Sequence, residues 1–349
     1  MNAIRIIESG VSTTLQDAGR WGFQRFGVPV SGALDKDSLA IANHLVGNTS
    51  DRGALEMRFL GPRFSVEAKS VEIAICGAAI AGQITRDSES IPLVSNRSYW
   101  LHKGDKVSIG ALRESTTAYL AVGGGFEQSS IMGSQSTDLK SGFGGWDGKA
   151  VEVCSVLSLS NPQHRSEAQS GLEVRYEPSS TGSVRVVLGP QDDYFADRSL
   201  ETFLNSSWTV SQFADRMGMR LDGPVLEHRK GFNITSDGIV SGAIQVPGTG
   251  QPIVLLSDRQ TSGGYPKIAT VLSCDLGKLG RLGPGAEIQF QAVSAVEGAM
   301  ATRAHREWLA GIVASIGPVK SDGSVDLDQL YAGNLISGPL SLDDEFSVP

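Results

Sequence analysis

The chain has 349 residues, 40% hydrophobic and 19% charged, and its 30 Lys and Arg against 38 Asp and Glu give a net charge of −8. This composition is globular and long enough for two domains or one large β-rich domain, and the negative balance excludes a general nucleic-acid binder, which needs a basic surface to neutralise phosphates. Cys76, Cys154 and Cys274 are few and far apart, which fits free, mostly buried thiols in a reducing compartment, and with no apolar leader or run of 18 apolar residues the expectation is a cytoplasmic protein without a membrane segment.

Residues 3 to 8 read as a first strand, followed by a polar loop from Ser12 to Gly22 in which Gln16, Asp17 and Arg20 precede Trp21, Phe23 and Phe26. An arginine beside aromatic rings suits a planar or anionic ligand. A structural corner, in which Asp17 and Arg20 satisfy one another, accounts for the same residues. Asp35 then caps a helix from Lys36 to Val46, with Leu39, Ala42, Leu45 and Val46 on one face and Gly47 as its stop. His44 has no acidic or cysteine partner at helical spacing and reads as a hydrogen-bonded histidine rather than a base. Glu56 stands among Ala54, Leu55 and Met57, and a carboxylate buried there needs a donor.

Short apolar runs at 71–76, 79–81, 107–109 and 117–122, separated by glycine turns, read as strands without alternating helices. This pattern predicts a barrel or sandwich rather than a doubly wound sheet. Gly123, Gly124 and Gly125 lead to a hydroxyl-rich loop holding Ser134, Ser136 and Thr137. No phosphate-loop pattern is present, since the nearest stretch, Gly144 to Ala150, has the wrong glycine spacing and ends in alanine. There is no G-x-S-x-G elbow and no H-E-x-x-H pair, and His44, His102, His164, His228 and His305 are too scattered to assign a metal site.

The polar stretch 161–171 has linker composition and marks the expected boundary between an N-terminal β-barrel domain, 1–165, and a second domain, 172–315, followed by a tail, 316–349. A strand over 184–188 and a short helix around 194–204 come next. Val210 to Leu221 then places Asp215, Arg216 and Arg220 in a polar loop after a strand, a loose echo of Asp17 and Arg20.

The stretch from Ser236 to Val271 is the densest in polar groups. Its runs Ala243 to Val246, which carries Gln245, and Pro252 to Leu256 read as two strands joined by a turn at Pro247 to Gly250. The second strand runs into the loop Ser257 to Pro266, where Asp258 offers an acceptor, Arg259 a forked donor, and Gly263 and Gly264 a close approach of backbone N–H groups to a ligand beside Tyr265. A tight hairpin with a solvated rim and a tyrosine packed on the barrel remains the alternative. Asp275 is expected to close a further strand, residues 287–290 form another, and 293–316 read as a C-terminal helix. The acidic tail carries Leu327, Leu330, Tyr331, Leu335 and Ile336, an apolar surface for docking on the body or a partner.

Together, QDAGRWG (16–22), SGALD (31–35), GSQST (133–137), DRMGMRL (215–221), SGAIQVPGTGQPI (241–253) and SGGYP (262–266) resemble one family. It is the biotin-dependent carboxyltransferase-like family known as allophanate hydrolase subunit 2 or KipA, assigned as the C-type subunit of the prokaryotic 5-oxoprolinase. The resemblance runs over about residues 3–315, and the tail sequence YAGNLISG (331–338) is similar to endings of some members. The chain departs from the pattern at Arg281 and Gly283, where Gln and Arg are expected.

The resemblance implies a mainly β protein with a few helices, built as two cyclophilin-like β-barrel domains. It also implies two partners, a KipI-like B-type subunit and a separate A-type subunit, in opening the lactam of 5-oxo-L-proline to L-glutamate. ATP and Mg2+ enter at the level of that complex, and no biotin attachment site lies in this chain. On that hypothesis Asp258, Arg259 and Asp215 are the catalytic candidates. Gln16, Asp17, Arg20, Ser134, Ser136, Thr137, Arg216, Arg220, Gln245, Gly263, Gly264 and Tyr265 are the substrate-binding candidates. Arg20, Arg216, Arg220 and Arg259 would neutralise a carboxylate or a transferring phosphate. Asp17, Asp215 and Asp258 would hold magnesium or orient a nucleophile. The alternatives are a carboxyltransferase component of a biotin-dependent urea or amide carboxylase, and a non-catalytic protein that binds the KipI-like partner.

Overall fold

The computed structural model describes residues 1–160, 169–172, 176 and 182–319. Most of the polar boundary stretch and the tail residues Leu327 to Ile336 lie outside the described residues.

The first half is built from two antiparallel sheets. One carries the strands Val156–Ser158, Ala3–Glu8, Leu60–Val66, Lys106–Arg113, Gly82–Arg86 and Glu89–Leu93 in that order, with Ala79–Ile80 paired at the far end of Lys106–Arg113. The other runs Ser12–Gln16, Ala54–Arg58, Thr117–Val122, Ser70–Cys76 and Ser98–His102. Their facing sides meet in a core that includes Ile4, Ile6, Leu55, Phe64, Ile73, Val107 and Leu120. The run at 73–76 is apolar on both faces because both are covered. Ile73 and Ile75 point into that core, while the smaller Ala74 and Cys76 lie under Leu39, Ile41, Ala42 and Leu45 of helix α1, Lys36–Leu45. Asp35 caps α1 by accepting from Ser38 N at 3.2 Å, and Gly47 takes the left-handed conformation expected of a stop, φ 74°.

The second half is built on one eight-stranded sheet, beside which Asp237–Gly238 and Ser262–Gly263 form a short separate ladder. The order of the sheet is Glu287–Ile288, Trp208–Ala214, Gly218–Asp222, Ile253–Leu255, Ala243–Gln245, Lys267–Val271, Val184–Leu188 and Phe290–Ala292. The two edge strands are consecutive in the chain, separated only by Gln289, so the sheet curls until its edges meet and nearly closes. Ile244, Val254, Trp208 and Phe290 fill it, with Phe203 of α2, Asp197–Asn205, stacked on Phe290. The strands joined by the Pro247–Gly250 turn pair as expected, Ile244 opposite Val254, and Gly250 N bonds Pro247 O at 2.9 Å.

The fold is thus mainly β with a few helices, two barrel-like bodies as the resemblance implies. Several local expectations are corrected. Residues 208–222 form a hairpin with Asp215 in its turn, not a polar loop after a strand. The strand before Asp275 ends at Val271, and Asp275 is a buried residue at the start of α3, Leu276–Arg281, a helix hidden from sequence by Gly277 and Gly280. The expected helix at 194–204 is a 3-10 turn, Asp192–Tyr194, followed by α2. Of the three free thiols only Cys76 is buried, and Cys154 is exposed. Among the described residues no helix is long and apolar enough to cross a membrane.

The halves are stitched by a short list of contacts. Thr116 N and Thr117 Oγ1 donate to the α3 carbonyls of Arg281 and Gly280 at 2.8 and 2.6 Å, and Ser31 N donates to Ser257 O at 3.1 Å. Leu34, from the first half, is packed in the core of the second. The last helix, α4, Ala295–Ala314, opens on a capping box of Ser294 and Glu297 and reaches back to α1, where His305 meets Asp37 at 2.8 Å.

Candidate functional site

The polar residues of the first half converge on one carboxylate. Asp17 accepts from Ser134 Oγ at 2.7 Å, Ser136 Oγ at 2.6 Å, Gln135 N at 2.6 Å and Gly19 N at 2.8 Å. Arg20 is turned inward, donating to the carbonyls of Ile131 at 3.0 Å and Ser136 at 2.8 Å with its guanidinium over the Phe143 ring. Burial lowers its pKa, with Asp17 the main opposing charge. Gln16 Nε2 bonds Thr14 Oγ1 and Thr137 O, and Thr137 in turn holds Leu15 O through both N and Oγ1. All six candidates here are buried, and their polar groups mainly hold the 131–145 loop to the Gln16–Arg20 corner. The corner reading is therefore the better one, with a correction: Asp17 and Arg20 each bond loop groups rather than one another. Of the aromatic residues that follow, Trp21 and Phe26 stand out, 61% and 66% exposed.

A second cluster spans the interface. Arg216, in the hairpin turn of the second barrel, donates Nε and Nη2 to Asp258 at 2.7 and 3.0 Å, Nη2 to Gly32 O at 2.7 Å, and Nη1 to Glu56 of the first barrel. Burial opposes its charge, but Asp258 and Glu56 together hold its pKa above the ordinary value. Burial pushes the Asp258 carboxyl up, with Arg216 the main pull in the other direction. Glu56 has the donors its apolar surroundings required: Arg216, Leu34 N at 2.9 Å and Tyr119 Oη at 2.7 Å. Tyr119 passes the network on by accepting from Asp35 N at 2.8 Å, and Asp35 takes Arg281 at 2.5 Å in a second buried pair between the halves. Gly32 is required here by close approach, since a Cβ would stand 2.8 Å from the backbone of Gly19.

Asp258 and Arg259 are neighbours in sequence, yet they line different cavities. Asp258 and Arg216 border a 390 Å³ cleft with Asp215, Arg58, Lys140, Phe59 and Met217. Arg259 faces the other side, a 290 Å³ cavity between the halves walled by Leu34, Leu256, Leu276, Ser241 and Lys36. Burial lowers the Arg259 pKa to about 10, against the pull of Asp258. Lys36 stands at the mouth, its ammonium over the Trp21 ring and 3.1 Å from Ala18 O. Partial desolvation and then the Arg259 charge draw its pKa down, Asp17 opposing.

The other candidates lie on a third surface, which Asp215 shares with the Asp258 cleft. Asp215, Arg220, Gln245 and Tyr265 line an open groove of 530 Å³ on the second barrel. Asp215 Oδ1 accepts from Met217 N and Gly218 N, which shapes the hairpin turn. Gly263 pairs with Asp237 in a short ladder, and a Cβ there would press on Ile239 and Gln245 at 2.7 and 2.8 Å. Gly264 O accepts from Ile234 N. These two glycines therefore serve packing, and the structure brings neither to Arg259 as a ligand cradle.

The carboxylates expected to hold magnesium do not fit it. Asp17 and Asp258 have their oxygens engaged by hydroxyls, amides and Arg216, and Asp215, which shares the cleft with Asp258, has its Oδ1 taken by Met217 N and Gly218 N. Among the described residues no group of three or more His, Cys, Asp and Glu is placed to hold a metal ion. Sequence reasoning missed Lys36, Tyr119, Asp35 and Arg281. For Arg281 a signal existed: it is where the chain departs from the family pattern.

Residues 26–292 match the model of the carboxyltransferase domain, subdomain A and B. The chain belongs to that family. Its curated relatives include the C subunit of the 5-oxoprolinase of Escherichia coli, 34% identical over 84% of this chain and 92% of that protein. The protein of the same name from Haemophilus influenzae is 32% identical over 88% of this chain and 96% of its own length. Among solved structures, the Kluyveromyces lactis urea amidolyase superposes with a TM-score of 0.81 at 26% identity, covering 89% of this chain but 20% of that one.

Proposed function

We propose that this chain is the C-type subunit of an ATP-dependent 5-oxoprolinase that hydrolyses 5-oxo-L-proline to L-glutamate, acting with separate KipI-like B and A subunits. The observation that carries this reading is extent: similarity to the Escherichia coli C subunit covers 92% of that protein, whereas similarity to the urea amidolyase of Lachancea kluyveri covers 17% of that one. A lactam is resonance-stabilised, and ATP consumed by the complex would turn its carbonyl oxygen into a better leaving group. This chain's own contribution is the inter-barrel crevice. Arg216, locked between two carboxylates, holds the barrels at a fixed distance, and Arg259 and Lys36 make one side of the crevice cationic, suited to an anionic substrate.

The test is glutamate formation from 5-oxo-L-proline by this chain with its B and A partners, with and without ATP and with avidin added. ATP-dependent, avidin-insensitive glutamate that requires this chain is the expected result. The superposition on the urea amidolyase favours a second reading, carboxyl transfer from a biotin carrier to a urea-type amide. Avidin-sensitive carboxylation without glutamate would establish it in place of the first. Turnover by the B and A subunits alone would leave this chain a binding protein.

A further inference from the structure

The Arg259 side chain is only 3% exposed, yet among the described residues no carboxylate forms an ion pair with it. Its Nη1 donates to Ser241 Oγ at 2.8 Å and its Nε approaches Ile239 O at 3.4 Å, both neutral acceptors, and its Nη2 carries no hydrogen bond among the described residues. The contrast with Arg216 and Arg281, each buried against a carboxylate, is direct. A buried guanidinium whose hydrogen-bond partners are neutral, and whose opposing charge, Asp258, is already bonded to Arg216, is costly to keep charged, so a fold that retains one beside a cavity has left a place for an anion.

The cavity supplies the rest of a site. Its second cation, Lys36, stands at the mouth, and the one acidic side chain lining it, Asp37, is engaged by His305. Leu34, Leu256, Leu276 and the Trp21 ring give it an apolar wall, while Ser241 and Ser257 add hydroxyls. At 290 Å³ it lies just below the ~300–1,000 Å³ typical of small-molecule sites. That is room for a compact organic acid and too little for a nucleoside triphosphate.

We infer that the inter-barrel cavity is a binding site for a small monocarboxylate, whose carboxylate is taken by the Nη2 edge of Arg259 and by Lys36 while its carbon skeleton lies against Leu34, Leu256 and Trp21. Arg259 is thereby a binding residue rather than a catalytic one, and its neighbour Asp258 lines a different cleft. The choice of 5-oxo-L-proline as probe rests on the functional reading above, but the anion site itself does not.

Calorimetric titration of the full-length chain with 5-oxo-L-proline, with 2-pyrrolidinone, which is the same lactam without the carboxylate, and with propionate tests the inference. Binding of 5-oxo-L-proline is expected, with 2-pyrrolidinone at least ~10-fold weaker. Arg259→Gln should weaken the carboxylate about 10- to 100-fold, the range for a charge-assisted bond in a dry site, and Arg259→Lys should restore part of it. Lys36→Gln, at an exposed rim position where folding is not at stake, should weaken it about threefold. Propionate binding with the same Arg259 and Lys36 dependence, but none by 5-oxo-L-proline, would uphold the anion site and count against the oxoprolinase reading. Failure of both carboxylates to bind, or binding that neither Arg259→Gln nor Lys36→Gln changes, would overturn the inference. So would an unchanged KM for 5-oxo-L-proline in an active complex containing Arg259→Gln, an outcome that leaves the oxoprolinase reading standing.

Discussion

The Asp17 corner and the Arg216 interface are built from the same residue types and do opposite things. At the corner, each charge is matched to groups of one loop: four donors close on Asp17, and Arg20 holds two carbonyls under a phenylalanine ring. At the interface, Arg216 and Arg281 reach from the second barrel to Glu56 and Asp35 of the first, so the same chemistry fixes two bodies rather than one loop. Beside them Arg259 has no such partner among the described residues. An Asp and Arg pair in a sequence thus says little about role until the number of partners around each charge is known.

The sharpest way to break this contrast is Arg216→Ala, which strands two buried carboxylates. It should cost about 3–5 kcal/mol by chemical denaturation, and Arg216→Lys should recover little of it because one ammonium cannot span Asp258, Glu56 and Gly32 O as the planar fork does. Asp17→Ala should cost less, about 2–3 kcal/mol, since Ser134 and Ser136 can turn to other acceptors while the amides of Gly19 and Gln135 are left unmet. An Asp17→Ala loss as large as that of Arg216→Ala would erase the distinction. Tyr119→Phe removes one donor to Glu56 and the acceptor of Asp35 N, and should cost about 1–2 kcal/mol in the same experiment.

The smallest expected effect is pH-dependent. His305 at Asp37 has its pKa raised above 6.5, by the hydrogen bond to Asp37 first, with burial opposing. The folded state therefore favours the protonated ring. Its stabilisation is present in full below the unfolded value of 6.5 and is lost as pH rises through the higher folded value. Wild type should exceed His305→Gln in unfolding free energy on the acid side, by at most ~1 kcal/mol for this partly exposed pair, and the two curves should converge at alkaline pH. A gap that widens with pH would refute the pairing.

Much of the fold was legible along the chain because it follows local rules. The short apolar runs, the glycine turns, the Asp35 cap with its Gly47 stop, and the hairpin around Pro247–Gly250 all depend on residues within a few positions of one another. Two local readings misled. Asp215 reads as a loop aspartate because a hairpin turn and a polar loop share composition, and α3 is masked by glycines that approach Leu34 and Asp35 of the first barrel too closely to carry a side chain.

The order of residues was enough to establish the β architecture, the family, and the need of Glu56 for a donor, since a carboxylate among apolar neighbours must be met. Which donor meets it, and which candidate charges remain open, emerged from the packing of the barrels. Arg216 lies 160 positions from Glu56 and Arg281 lies 246 from Asp35. Successive side chains leave the backbone in different directions, so Asp258 and Arg259 came to face opposite cavities. No spacing rule carries that information, because it depends on how one barrel is set against the other.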